Sequence, residues 1–130
     1  RDLPLGAGRF CAEADMADPN CIFCKIGQGE IPAEKLFDDG TIFAIRDINP
    51  KAPTHILVIP HEHVEALADA EAGPVAAAAH CVEAAPGIAR SLGATDAGYR
   101  LVANQGPDSG QEVPHFHLHI LAGRRLGPMG

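Results

Sequence analysis

Three observations predict an α+β domain. Thr54–Ile59 (THILVI) is a six-residue apolar run, rich in β-branched residues and closed by Pro60, the pattern of a buried strand. His115–Leu121 (HFHLHIL) alternates strictly, the pattern of a strand with two unlike faces. Between them, residues 61–92 are alanine-rich, which favours helix. A length of 130 residues fits one such domain, and 46% hydrophobic with 21% charged residues suits a chain that buries its own core.

The elements follow in order. Residues 1–15 carry no helical or strand period and read as a leader or upstream extension, leaving 16–130 as the domain. CIFCKI from Cys21 reads as a short helical turn or strand entry, and Gly27–Pro32 as a turn. Asp38-Asp39-Gly40 is a hairpin signal between two short apolar runs, the second being Thr41–Ile45. Asn49-Pro50 and Ala52-Pro53 mark loops before the THILVI strand. In the alanine-rich stretch, Gly73-Pro74 is expected to separate a short helix from a longer one. Pro86-Gly87 is expected to kink or break the latter, because proline lacks the helical donor. Gly93 is a C-terminal stop, Gly98–Asn104 the next strand, and QGPDSGQEV a glycine-rich loop before the last strand.

Charge excludes some functions. Seventeen acidic against ten basic residues give a net charge of −7, which argues against nucleic-acid or anionic-membrane binding. No stretch approaches the roughly 18 apolar residues of a membrane span. The first twenty residues lack a charged-then-apolar signal pattern, so the expected setting is cytoplasmic.

The chemistry concentrates in the last strand. Alternate side chains on a strand share one face, so His115, His117 and His119 line one side while Phe116, Leu118 and Ile120 enter the core. The outer two would lie about 13 Å apart, too far for all three to bind one tetrahedral ion. A histidine acting as nucleophile or base fits better, since neutral imidazole abounds near pH 7. The Gly106–Gly110 loop before it can turn backbone N–H groups toward an anion. Cys21-x-x-Cys24 alone is compatible with zinc, a redox pair or two buried small side chains. His61 and His80 read as surface or helix histidines, Cys11 and Cys81 as spectators, and Arg124-Arg125 as a solvated tail.

PHFHLHIL resembles the motif of the histidine-triad (HIT) family. NPKAPTHILVIPHEH, NQGPDSGQEVPHFHLHILAGR and CKIGQGEIPAEKLFDD are similar to its Hint branch, the purine nucleoside phosphoramidases, over roughly residues 20–126. The resemblance implies a five-stranded antiparallel sheet with helices, paired into a homodimer, and an AMP-type ligand. It implies that His117 is the nucleophile toward the α-phosphorus, with His119 and His55 supporting it and Asn104 near the phosphate. It further implies that Asp47 holds the ribose with Ile48 beside the sugar, and that Ile22, Phe23, Ile26 and Ile31 wall the purine. The amides of Glu112 and Val113, after Gly110 and Gln111, would cradle the phosphate. Cys21, Cys24, His63 and His115 would hold a structural zinc, a closed set that leaves no catalytic metal to expect. The implied reaction cleaves adenosine 5′-phosphoramidates or aminoacyl adenylates to AMP through a nucleotidyl-histidine. Its alternatives are a dinucleoside polyphosphate hydrolase of the Fhit type and a slow nucleotide-binding protein. Two departures stand out: Glu112 replaces the serine frequent in that branch, and the tail carries no tryptophan.

Overall fold

In the computed structural model, which describes residues 18–70 and 72–129, the Asp38-Asp39-Gly40 turn forms as its sequence dictates. Asp38 Oδ1 accepts the Gly40 amide at 2.9 Å, and Asp39 Oδ1 accepts those of Thr41 and Ile42 at 2.9 and 3.0 Å. The turn joins β1 (Lys35–Asp38) to β2 (Ile42–Arg46). β3 (Thr54–Pro60) follows, and β5 (Leu118–Ala122) lies between β3 and the edge strand β4 (Arg100–Val102). The sheet is antiparallel throughout, in the order β1-β2-β3-β5-β4, the five-stranded α+β architecture that the resemblance implies. The expected leader at residues 1–15, with Cys11, lies outside the described residues.

Helices cover both faces. CIFCKI resolves into a helix, α1 (Ile22–Gly27), whose Phe23, Cys24 and Ile26 pack with Phe43, Ile45, Leu57 and Ile59. On the opposite face, Ala78, Cys81, Ala85 and Ile88 of α2 (Ala72–Ser91) pack with Ile42, Ala44, Ile56, Val58, Leu118 and Ile120. With both faces buried, β2 and β3 are apolar at nearly every position instead of alternating. Among the described residues, no helix is long and apolar enough to cross a membrane.

Four expectations about extent need correction. The last strand starts at Leu118, so His115 and His117 lie in the segment leading into it. The register pairs Val58 with Leu118, so the next rung would bring Pro60, which has no N–H, opposite Phe116. The Phe116 amide bonds the Val64 carbonyl instead, at 2.6 Å. β4 spans three residues, not Gly98–Asn104: it ends at Val102, opposite His119, one residue after its partner strand begins. In the alanine-rich stretch, residues before Leu67 are not helical, a single 3-10 turn forms at Leu67–Asp69, and α2 takes Gly73 and Pro74 into its first turn. α2 also continues through Pro86. Pro86 and Val82 are both exposed, so the carbonyl that loses its partner faces water.

His80 ties α2 to the first hairpin. It stands within 2.6 Å of Asp39 Oδ2 through Nε2 and 2.9 Å of Glu83 Oε1 through Nδ1. Two carboxylate acceptors require both nitrogens to donate, and Glu83 and then Asp39 raise the His80 pKa above its usual value. The stabilisation is therefore complete below the unfolded pKa of about 6.5 and is lost as pH rises through the higher folded value. The pair is solvent-screened, so its worth is at most about 1 kcal/mol, a few degrees in Tm. Tm of the parent minus that of His80→Ala should be positive near pH 6 and shrink on going to about pH 8. A difference that grows with pH would refute the clamp.

Candidate active site and metal centre

β3 and β5 bring His55 and His119 together. Leu57 pairs with His119 and His55 with Leu121, so the two histidines are diagonal neighbours on the face that α1 covers. Asp47 follows β2 directly, and its amide bonds the His55 carbonyl at 3.0 Å. Asn104, two residues beyond β4, shares a cavity wall with His117.

Hydrogen bonds assign the tautomers. The Lys51 backbone N–H donates to His55 Nδ1 at 2.9 Å, so the His55 proton resides on Nε2. That Nε2–H donates to His119 Nδ1 at 2.8 Å, which puts the His119 proton on Nε2. His119 Nε2 is buried and has no partner among the described residues. It is thus a donor held in reserve on a ring that lines the cleft. Asp47 Oδ2 stands 3.4 Å from His55 Nε2 and supports this polarity. Asp47, His55 and His119 are close enough to suggest a metal site. The Lys51 amide argues otherwise, because a protonated His55 Nε2 has no lone pair to give an ion. These residues form a proton-oriented relay.

His117 is fixed by a separate contact. Its Nδ1–H donates to the His115 carbonyl at 2.8 Å, leaving the lone pair on Nε2. Phe23 packs edge-on against the ring, with centroids 5.1 Å apart. Burial, reinforced by the neighbouring His117 and His55, depresses the His119 pKa to about 4, and burial also lowers that of His55. Both supporting rings are therefore neutral at pH 7.

Two cavities meet at these rings. One, of 220 Å³, is walled by His55, Val102, Asn104, Gly110 and Leu121. The other, of 240 Å³, is mainly apolar and includes Ile22, Phe23, Ile26, Leu57, Ile48 and Val113. Asp47, Lys51, Glu112, His117 and His119 line both. Ile31 instead packs partly buried against the core beside α1. Gln111 spans the loop: its Oε1 accepts the Gly106 amide at 2.8 Å, and its Nε2 donates to the Glu65 carbonyl at 3.0 Å. Lys51 went unread in the sequence. Its position between Pro50 and Pro53, four residues before His55, was the available signal.

The second cluster lies behind the first. Cys21 Sγ is 3.3 Å from His115 Nδ1, while Cys24 Sγ is 3.4 Å from His63 Nδ1 and 3.5 Å from His115 Nδ1. The four ligand atoms lie within 4.8 Å of one another. A tetrahedral zinc with its usual bond lengths has S···N edges of about 3.6 Å, so the donor set fits that ion. His115 Nε2–H donates to the Pro60 carbonyl at 2.8 Å, which turns the Nδ1 lone pair toward the thiols. Burial lowers the His115 pKa to about 4 and raises that of Cys24 to about 12, the latter opposed by the Asp18 amide. His61 and Cys81 stay outside both clusters. His61 donates to Asp38 Oδ1 at 2.9 Å, and Cys81 is buried on the sheet-facing side of α2.

A HIT domain profile matches residues 28–126. An uncharacterized 13.2 kDa HIT-like protein of Azospirillum brasilense is 48% identical over 113 residues, 86% of this chain and 93% of that protein. A purine nucleoside phosphoramidase of Escherichia coli is 44% identical over 108 residues, covering 83% of this chain and 91% of the enzyme. Among solved structures, a histidine triad protein from Clostridium difficile superposes with a TM-score of 0.83 at 42% identity, over 88% of this chain and all (100%) of its own. A HIT family hydrolase from Legionella pneumophila gives 0.78 at 46% identity, over 83% and 96%. The chain belongs to the HIT family, among its hydrolases.

Proposed function

We propose that this hydrolase cleaves the bond between the α-phosphorus and an amine in adenosine 5′-phosphoramidates, or the corresponding bond of aminoacyl adenylates, releasing AMP. The observation that carries the reading is His117: its Nδ1 proton is committed to the His115 carbonyl, so Nε2 presents its lone pair where the two cavities meet. Nε2 attacks phosphorus to give a nucleotidyl-histidine as the P–N bond breaks; the leaving nitrogen keeps the electron pair, takes a proton from solvent water and departs as the neutral amine. Water then cleaves the new P–N bond. The unpartnered His119 Nε2–H stabilises charge on the phosphoryl group, and its tautomer is kept by His55 and the Lys51 amide. The apolar cavity receives the purine, Asp47 the ribose hydroxyls, and the amides of Glu112 and Val113 the phosphate.

A structural zinc on Cys21, Cys24, His63 and His115 belongs to the same proposal and would cross-link α1 to the histidine segment. A cytoplasmic setting keeps its thiols reduced. Pairing into a homodimer rests on the family resemblance, together with exposed Leu101 on the edge strand and exposed Val75 on α2. The test is incubation of the protein with adenosine 5′-phosphoramidate without added Mg²⁺. AMP should accumulate, and an acid quench should leave an adenylyl group on the peptide containing His117. AMP binding without turnover would favour a binding role.

A further inference from the structure

We infer that Glu112 is a specificity residue, whose carboxylate selects substrates with a cationic leaving group over those with an anionic one. This rests on the reading above and names the substrate class of that site. Glu112 is exposed, and among the described residues it is one of five that line both cavities, along with Asp47, Lys51, His117 and His119. Those shared residues mark where the reacting phosphorus sits. If the nucleoside fills the apolar cavity, the leaving group must enter the other, past Glu112. Among the described residues, no hydrogen bond or ion pair neutralises the Glu112 carboxylate.

The charge around the leaving-group cavity points the same way. Among the described residues its lining carboxylates are Asp47 and Glu112 against the ammonium of Lys51, while burial holds His55 and His119 neutral and His117 presents its Nε2 lone pair as the nucleophile. Lys51 Nζ also donates to the Asn49 carbonyl at 3.2 Å, which draws it toward its own loop. Arg46 lines only the nucleoside cavity. The leaving-group side therefore carries one net negative charge. It repels a further phosphate or a carboxylate and attracts an ammonium group. A polyphosphate chain entering here would meet that field with every added phosphate.

The experiment compares kcat/KM for three adenosine 5′-phosphoramidates made from amines of equal length. One ends in an ammonium, one in a methyl and one in a carboxylate. The parent should prefer them in that order, and the spread should narrow in high salt. Glu112→Gln should compress the cation-to-neutral ratio up to about fivefold, and Glu112→Lys should reverse the order, since exposed charge pairs have that scale. Thermal melts establish that both variants fold. Turnover of the neutral amidate with the same ratios in all three proteins overturns the role of Glu112 alone. Failure of the parent to turn over any of the three overturns the phosphoramidase reading and this inference with it.

Discussion

His117→Ala is expected to lose turnover of adenosine 5′-phosphoramidate by on the order of 10⁴-fold or more, while its Tm and its AMP affinity stay near those of the parent. The separation between chemistry and binding follows from where His117 sits. The apolar cavity and Asp47 remain intact when the imidazole is removed, but among the described residues no other imidazole lone pair is free at the junction of the two cavities. His55 cannot substitute, because its Nδ1 is occupied by the Lys51 amide and its Nε2 carries a proton. Nor can His119, whose Nδ1 accepts from His55 and whose Nε2 is a donor. His119→Ala should cost less, about 10²-fold, since it removes one oriented donor and leaves the nucleophile. Steady-state kinetics of the two variants, with AMP titrations, checks the ranking. Equal losses in both would mean that the histidines act as an inseparable unit, and a His117→Ala protein with parental turnover would remove nucleophilic catalysis altogether.

The sheet was legible because its strands are short, β-branched and bounded by prolines and the Asp-Asp-Gly turn. The same prolines set limits that the pattern hid. HFHLHIL alternates perfectly, and its side chains do divide between the α2 core and the site, yet the ladder stops at Leu118 because Pro60 cannot donate. Periodicity reports which side a residue faces, not whether its backbone is paired. The break expected at Pro86 is absent for a related reason: a helix breaker is tolerated where the orphaned carbonyl is wet, and exposure of one face cannot be read from an alanine run. At the site, residue identities could be drawn from a family resemblance, but tautomers could not. They depend on the Lys51 amide, the His115 carbonyl and the Pro60 carbonyl, backbone groups that any sequence would supply and only the fold can aim.

Removal of a bound zinc should lower Tm by roughly 10–20 °C, the scale of about 4 kcal/mol for an ion present at some thousandfold above its dissociation constant. The argument begins with the buried donors. Cys24 is a buried thiol whose pKa is pushed up to about 12, and His115 is a fully buried imidazole pushed down to about 4, so without a cation neither is charged at pH 7. The S···N separations of 3.3–3.5 Å suit hydrogen bonds to sulfur and also lie close to the edges of a zinc tetrahedron, so an ion could replace the protons with little movement of the side chains. A divalent ion would displace the thiol protons, so affinity should fall as pH falls. His63 also has a buried Nε2 without a hydrogen bond among the described residues, with Glu65 and Asp18 carboxylates 3.9 and 4.0 Å away. A positive charge at Nδ1 would strengthen their attraction to that N–H. Metal analysis should give about one zinc per chain. A cobalt-substituted protein should show the sulfur-to-metal absorption band, weakened in Cys24→Ser. His117 reads the same centre from outside, because its Nδ1–H is held by the backbone of His115, itself a candidate ligand. Chelation should therefore loosen the nucleophile as well as the fold. A chelated chain with unchanged Tm and no metal content before treatment would reduce the four side chains to a neutral polar cluster.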